Sequence, residues 1–203
     1  MRLAVVVLIC LAAWNGFSSP VWSRMPNGQA GDENVFTDVS GKPYRLPGPG
    51  ECQALVIVFV SHDCPIANAY APEIKRLCEA FKDRGAAFCV VYAERDLALE
   101  TARNHAREYG YCCPVILDAE LNLARRLGAT KVPEAAVLSP RGEVLYRGRI
   151  DDRYVDYGKR RPVVRSHDLR NALEAVLTGK PVANPRTEVI GCDIDFGPDE
   201  RGG

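Results

Sequence analysis

The sequence predicts an α/β fold, a central mixed β-sheet flanked by helices on both faces. Three observations predict it. Residues 54–60 (ALVIVFV) and 86–92 (AAFCVVY) are nearly continuous apolar runs, the pattern of strands covered on both faces. Between them Ile74, Leu77, Cys78 and Phe81 recur at helical spacing, so strand, helix and strand form a parallel unit with a right-handed crossover. Residues 135–138 and 144–146, joined by Ser139-Pro140-Arg141-Gly142-Glu143, read as a hairpin that adds antiparallel strands.

Taken in order, the chain opens on Met1-Arg2, then runs uncharged and apolar from Leu3 to Trp14. That run is too short to span a bilayer comfortably and is followed by small residues, so residues 1–23 read as a signal peptide cut after Ser23, with a cut after Ala30 as the second choice. The product is expected to be secreted across the membrane, in a periplasmic setting, with no stable membrane insertion after cleavage. An uncleaved anchor is the competing reading. Residues 24–34 are polar and Gly-rich, a linker before one domain over residues 35–180. Residues 35–46 hold a short hairpin around Ser40-Gly41-Lys42-Pro43. In the central helix Pro65 suits the first turn, Pro72 is expected to kink it and Gly85 to end it. Helices follow at 97–109 and 120–127, with a strand at 115–117 between them. Residues 151–165 are polar and irregular; 168–177 is the last helix, with Leu169, Leu173, Val176 and Leu177 on its apolar face. The tail, 181–203, shows no periodicity.

Composition excludes some partners. Twenty-six basic and 26 acidic residues leave no net charge, so nothing in the charge balance suggests nucleic acid. Cleavage would leave seven cysteines, an odd number, in an oxidising compartment. A chain of 203 residues with 47% apolar content does not need a disulfide framework, so a functional thiol is the more informative reading.

Cys64 is that thiol. It stands just after a buried strand and just before a helix, where open α/β sheets gather their ligands and reactive groups. Free backbone N–H groups and the positive end of the helix dipole stabilise a thiolate there. Neighbouring Asp63 opposes that effect, and His62, if protonated, supports it. Cys89, mid-strand, and Cys78, on the buried helix face, read as structural. A disulfide between adjacent Cys112 and Cys113 would be strained, so burial of at least one is expected. Val132-Pro133 precedes a strand, where proline removes a ladder donor and can adopt the cis form.

The segment FVSHDCPIANAYAPEI resembles the active-site segment of redoxins. It is similar both to envelope thiol–disulfide interchange proteins and to peroxiredoxins of the alkyl hydroperoxide reductase/thiol-specific antioxidant group. VPEAAVLSPRGEVLYRG resembles their cis-proline strand and following hairpin; GRIDDRYVDYGK and a late Gly-Cys resemble the peroxiredoxin-like redoxin subgroup. The resemblance covers roughly residues 31–195 and implies a thioredoxin-like fold in which Pro133 faces Cys64. It departs from the family at three points. Ala67 occupies the second CxxC position, so a two-cysteine cycle within that motif is impossible. Ser61 can stand in for the peroxiredoxin threonine, but Ile57 replaces the proline and the peroxiredoxin arginine is absent from the Pro133 strand. Arg147 and Arg149 on the adjoining strand are the candidates to replace it.

These residues imply an extracytoplasmic thiol oxidoreductase. Cys64 attacks a peroxide or a protein disulfide, Ser61 and helix N–H groups hold the thiolate, Pro133 faces the sulfur and Cys192 resolves the intermediate. Cys192 could instead pair with Cys52 or remain free. An external reductant of unknown identity closes the cycle, and no cofactor is expected. The second hypothesis is an inactive redoxin-fold binding module using the same cleft. His62-Asp63-Cys64 lacks the spacing of a four-ligand zinc site, so no metal is expected; His105 and His167 read as solvated surface residues. The stretch GRIDDRYVDYGKRR is either a solvated loop or a border of the cleft, with Arg149, Asp151, Asp152 and Tyr154 meeting a partner.

Overall fold

A computed structural model of the chain describes residues 35–197. The expected signal peptide and linker, and residues 198–203 of the tail, lie outside the described residues. Among the described residues no helix is long and apolar enough to cross a membrane.

The strands in chain order are β1 (Val35–Asp38), β2 (Pro43–Arg45), β3 (Ala54–Val60), β4 (Ala86–Tyr92), β5 (Val115–Leu117), β6 (Lys131–Val132), β7 (Glu134–Leu138), β8 (Val144–Gly148), β9 (Tyr154–Asp156), β10 (Lys159–Arg160) and β11 (Cys192–Asp193). The helices are α1 (Pro65–Phe81), α2 (Leu99–Tyr109), α3 (Asn122–Leu127) and α4 (Asp168–Leu177). Seven strands form the main sheet in the order β2-β1-β5-β4-β3-β7-β8. The β3–β4 and β4–β5 pairs are parallel; β3–β7, β7–β8, β1–β5 and β1–β2 are antiparallel. This is a thioredoxin-like fold, a mixed sheet with helices on both faces.

All seven residues of β3 are buried, which is why that segment reads as unbroken apolar sequence. Ile57 and Phe59 from β3, Ile74 and Phe81 from α1, Tyr92 from β4 and Leu169 from α4 are among the largest fully buried side chains. α4 is tied to the end of α1 by the bidentate Arg84–Glu174 pair (2.9 and 2.6 Å) and by the Arg170 guanidinium over the Phe81 ring.

Two segments expected to be irregular carry structure. Within 151–165, β9 and β10 form a small hairpin. In the tail, β11 pairs antiparallel with β6, Cys192 opposite Val132 and Asp193 opposite Lys131. Strands of two or three residues have no apolar period to read, so sequence pattern alone passes over them. α1 includes Pro72 without interruption, then passes through a 3-10 turn (Lys82–Arg84) to Gly85, whose φ of 92° supplies the left-handed stop.

Candidate functional site

Cys64 caps α1 at its N-terminus, with Pro65 in the first helical turn. The position follows from the local sequence. β3 ends at Val60, a short turn exposes the chain, and Pro65 starts a helix without a lost donor. The Cys64 side chain is buried, and its thiol donates to the Val132 carbonyl at 3.4 Å. Val132–Pro133 is a cis peptide bond, and Pro133 is buried beside that contact.

The tail brings the second thiol. Its docking depends on two close approaches that only glycine permits. A Cβ on Gly148 would overlap Thr187, and one on Gly191 would overlap the Val132 carbonyl. Thr187 is held by the Tyr146 hydroxyl (2.7 Å) and the Arg149 N–H (3.1 Å), and the Ile194 N–H reaches the Thr130 carbonyl (2.9 Å). Cys192, immediately after Gly191, thereby lies opposite Val132, the residue whose carbonyl accepts from the Cys64 thiol. Burial, then the neighbouring Cys64 thiol, pushes the Cys192 thiol up to about 12. The Tyr157 hydroxyl, on the turn between β9 and β10, pulls in the opposite direction. Cys192 is half-buried and Tyr157 is 61% exposed, so this pair is the solvent side of the site.

The expected residues are therefore not all placed alike. Cys64, Pro133 and Cys192 come together although Cys64 and Cys192 are 128 positions apart in sequence. Ser61 is buried close by, but its hydroxyl donates to Asp63. Arg147 pairs with Glu134 (3.1 Å) and donates to the Leu127 carbonyl (3.0 Å), while Arg149 pairs with Asp168 (2.7 Å). Both guanidiniums are thus engaged in internal pairs. The residues expected to meet a partner from the 148–161 stretch are also internal. Asp151, Asp152 and Tyr154 are buried, whereas Val155 and Tyr157 are exposed. Cys52 lies elsewhere against the core, in contact with the Ala87 backbone.

Sequence reading missed a polar chain beside Cys64. The His62 N–H and its Nδ1 contact the two oxygens of Glu94 (2.6 and 2.5 Å). Asn68 donates to the His62 carbonyl (3.0 Å), and its Oδ1 meets His105 Nε2 (3.0 Å). Tyr92 hydroxyl and His105 Nδ1 are 2.6 Å apart. His62, Asp63 and Glu94 offer ligand atoms within 4.8 Å of one another, but these groups are engaged by each other and by Ser61.

His105 corrects the expectation of a solvated residue. It lies on the inner face of α2 with Ala102 and Ala106, and its ring stacks on Tyr109 at 4.3 Å. Burial, then the neighbouring His62, lowers its pKa from 6.5. The sign of the pH effect follows. The unfolded chain binds the proton first, so the stability due to neutral His105 is complete above about pH 6.5 and is lost as pH falls below that value. Denaturant unfolding at pH 7.5 and 5.5 should show a smaller loss for His105→Gln than for the parent. An equal loss in both would contradict this role.

The fold and the site together define a thioredoxin-like protein with a thiol at the head of its central helix. The chain belongs to the Redoxin family, whose model matches residues 21–172. Among solved structures it is similar to a hypothetical protein from Sinorhizobium meliloti 1021, at 27% identity over 80% of this chain and 90% of that one, with a TM-score of 0.71. It is also similar to an uncharacterized conserved protein from Geobacillus kaustophilus, at 26% identity, 81% and 88% coverage and a TM-score of 0.70. In fold alone it is similar to a secreted Mycobacterium tuberculosis disulfide oxidoreductase homologous to E. coli DsbE, at 18% identity, 71% and 99% coverage and a TM-score of 0.52. No curated protein matches.

Proposed function

We propose that this redoxin is an extracytoplasmic thiol–disulfide oxidoreductase whose redox pair is Cys64 and Cys192. The observation that carries the reading is the pairing of β11 with β6, which puts Cys192 opposite Val132, the residue whose carbonyl meets the Cys64 thiol at the head of α1. It supplies the partner that Ala67 cannot provide within the motif. The fold neighbour described as a secreted disulfide oxidoreductase agrees with this reading, and so does the apolar leader read from residues 1–23.

The cycle follows from the positions. Cys64 thiolate attacks one sulfur of a substrate disulfide; a mixed disulfide forms and the first substrate thiolate leaves. Cys192, deprotonated to solvent, attacks the Cys64 sulfur and expels the second substrate thiolate. The substrate gains two electrons, the protein holds a Cys64–Cys192 disulfide, and an external dithiol reduces it again. Because Cys64 is buried and β11 pairs with β6 beside it, substrate access is expected to need β11 to lift from β6, a two-residue pairing. Pro133 flanks the sulfur, and Ser61 acts through Asp63 on the turn carrying Cys64.

Hydrogen peroxide is the less supported oxidant. Peroxide chemistry needs a cation on the leaving oxygen, and the two candidate arginines are paired with Glu134 and Asp168. Single-turnover kinetics test the choice. Reduced protein mixed with oxidised insulin should lose two thiols per chain, and Cys192→Ser should stop at a mixed disulfide on Cys64. Reaction with hydrogen peroxide should be slower by about tenfold or more, on the basis of one missing charge-assisted contact. Unchanged turnover in Cys192→Ser would overturn the pair, and no reaction of Cys64 with either oxidant would leave the binding module.

A further inference from the structure

Three of the remaining cysteines gather at the other end of α1. Cys78 lies near the last turn of the helix, 14 residues after Cys64, or about 21 Å along the axis. Its thiol is near enough to those of Cys112 and Cys113, which precede β5 in the loop after α2, for both to act on its titration. Cys112 is exposed, Cys113 half-buried and Cys78 buried. The Cys112 sulfur also contacts the Lys75 carbonyl of α1 at 3.8 Å, which holds it over the helix one turn before Cys78. Two adjacent cysteines are strained as a mutual disulfide, whereas Cys78 approaches them from a separate element. None of these groups enters the Cys64–Cys192 cycle.

We propose that Cys78 and Cys112 form a second dithiol–disulfide centre, reached by low-molecular-weight disulfides through exposed Cys112. Cys112 thiolate attacks one sulfur of the small disulfide, a mixed disulfide forms at Cys112 and one small thiolate leaves. Cys78 then loses its proton to solvent and attacks the Cys112 sulfur; the second small thiolate leaves. The protein gives up two electrons and two protons, and the small disulfide becomes two thiols. The bond closes a loop between α1 and the segment before β5, so it constrains the unfolded chain and ties the far end of α1 to the sheet. Cys113 also neighbours Cys78, but its partial burial makes Cys112 the first to meet a dissolved disulfide.

The thiols themselves add a rate signature. The neighbouring Cys113 side chain, then burial, raises the Cys78 thiol, and burial, then the neighbouring Cys78 side chain, pushes Cys112 up to about 11. Oxidation should therefore quicken by about tenfold per pH unit between pH 7 and 9.

The test uses the full chain carrying Cys64→Ser and Cys192→Ser, so that its outcome is independent of the proposed function. After incubation with oxidised glutathione, peptide mapping should find Cys78 joined to the Cys112–Cys113 peptide, with two glutathiones released per chain. Cys112→Ser should abolish the link and Cys113→Ser should retain it. Oxidation should also raise Tm by about 5 °C. Glutathione left on Cys112 beside a free Cys78, a Cys112–Cys113 bond, or a link that survives Cys112→Ser would overturn the proposal.

Discussion

Replacing Cys64 with serine should reduce disulfide-reducing activity by at least about a thousandfold, because no other group can take the place of a nucleophile that forms the covalent intermediate. The oxygen is nearly isosteric with the sulfur and can donate to the same Val132 carbonyl, so stability should change by less than about 1 kcal/mol. Cys192→Ser should behave differently. The first substrate thiol should appear at the parent rate, and the second should not. Gly191→Ala provides a third comparison with both thiols intact. Its methyl would overlap the Val132 carbonyl, displacing the backbone that carries Cys192. Turnover should fall while Cys64 remains as accessible to alkylation as in the parent, or becomes more so. Insulin reduction and iodoacetamide trapping read all three. If Gly191→Ala turns over normally, the close approach of the tail does not matter to the cycle.

The largest loss of stability is expected at Asp151. This carboxylate is 2% exposed and accepts three hydrogen bonds, from the Tyr70 hydroxyl (2.5 Å), the Arg153 N–H (2.9 Å) and the Arg153 guanidinium (3.2 Å). The guanidinium also lies 4.8 Å from the Tyr70 ring centroid. Burial, then the Asp151 contact, raises the Tyr70 hydroxyl, which therefore stays a donor. Asp151→Ala would leave the buried Tyr70 hydroxyl with only the longer contact to the residue-151 carbonyl (3.4 Å) and the half-buried Arg153 guanidinium with only the longer pair to Glu73 (3.9 Å). The cost should be about 2–3 kcal/mol, a fall in Tm on the order of 5–10 °C. Asp151→Asn, which keeps an acceptor oxygen, should cost less. Thermal unfolding of both, combined with Tyr70→Phe in a double-mutant cycle, checks the network; additive effects would show that Tyr70 and Asp151 are not coupled. The same loss should loosen the β9–β10 hairpin that carries Tyr157, so the variants should also resolve the mixed disulfide more slowly.

How much of this was legible in the sequence depended on periodicity. β3 and β4 announce themselves because full burial demands unbroken apolar runs, and α1 follows from its apolar spacing and Pro65. Cys64 stands out because the strand ends and the helix begins around it. Cys192 was legible only as a thiol after a glycine; the reason for that glycine, contact with the Val132 carbonyl, needs the fold. β6 and β11 are two residues each and carry no pattern. Glu94 meets His62 across 32 residues of sequence, a pairing no local window contains. His105 looked solvated because Arg103, Asn104, Arg107 and Glu108 surround it. Its buried companions on α2 are Ala102 and Ala106, too small to mark an apolar face. In the 148–161 stretch charge was a poor guide, since Asp151 and Asp152 turn inward to hydrogen bonds while Tyr157 and Val155 face solvent.

A redox titration read at peptide level shows whether Cys64 and Cys192 act as one redox unit. Full-length protein equilibrated in graded ratios of reduced and oxidised dithiothreitol would be quenched, alkylated and mapped. Cys64 and Cys192 should convert together in a single two-electron transition, with their peptides linked in the oxidised form. Cys64 remaining alkylatable while Cys192 oxidises with another partner, or the two converting at separate potentials, would contradict it.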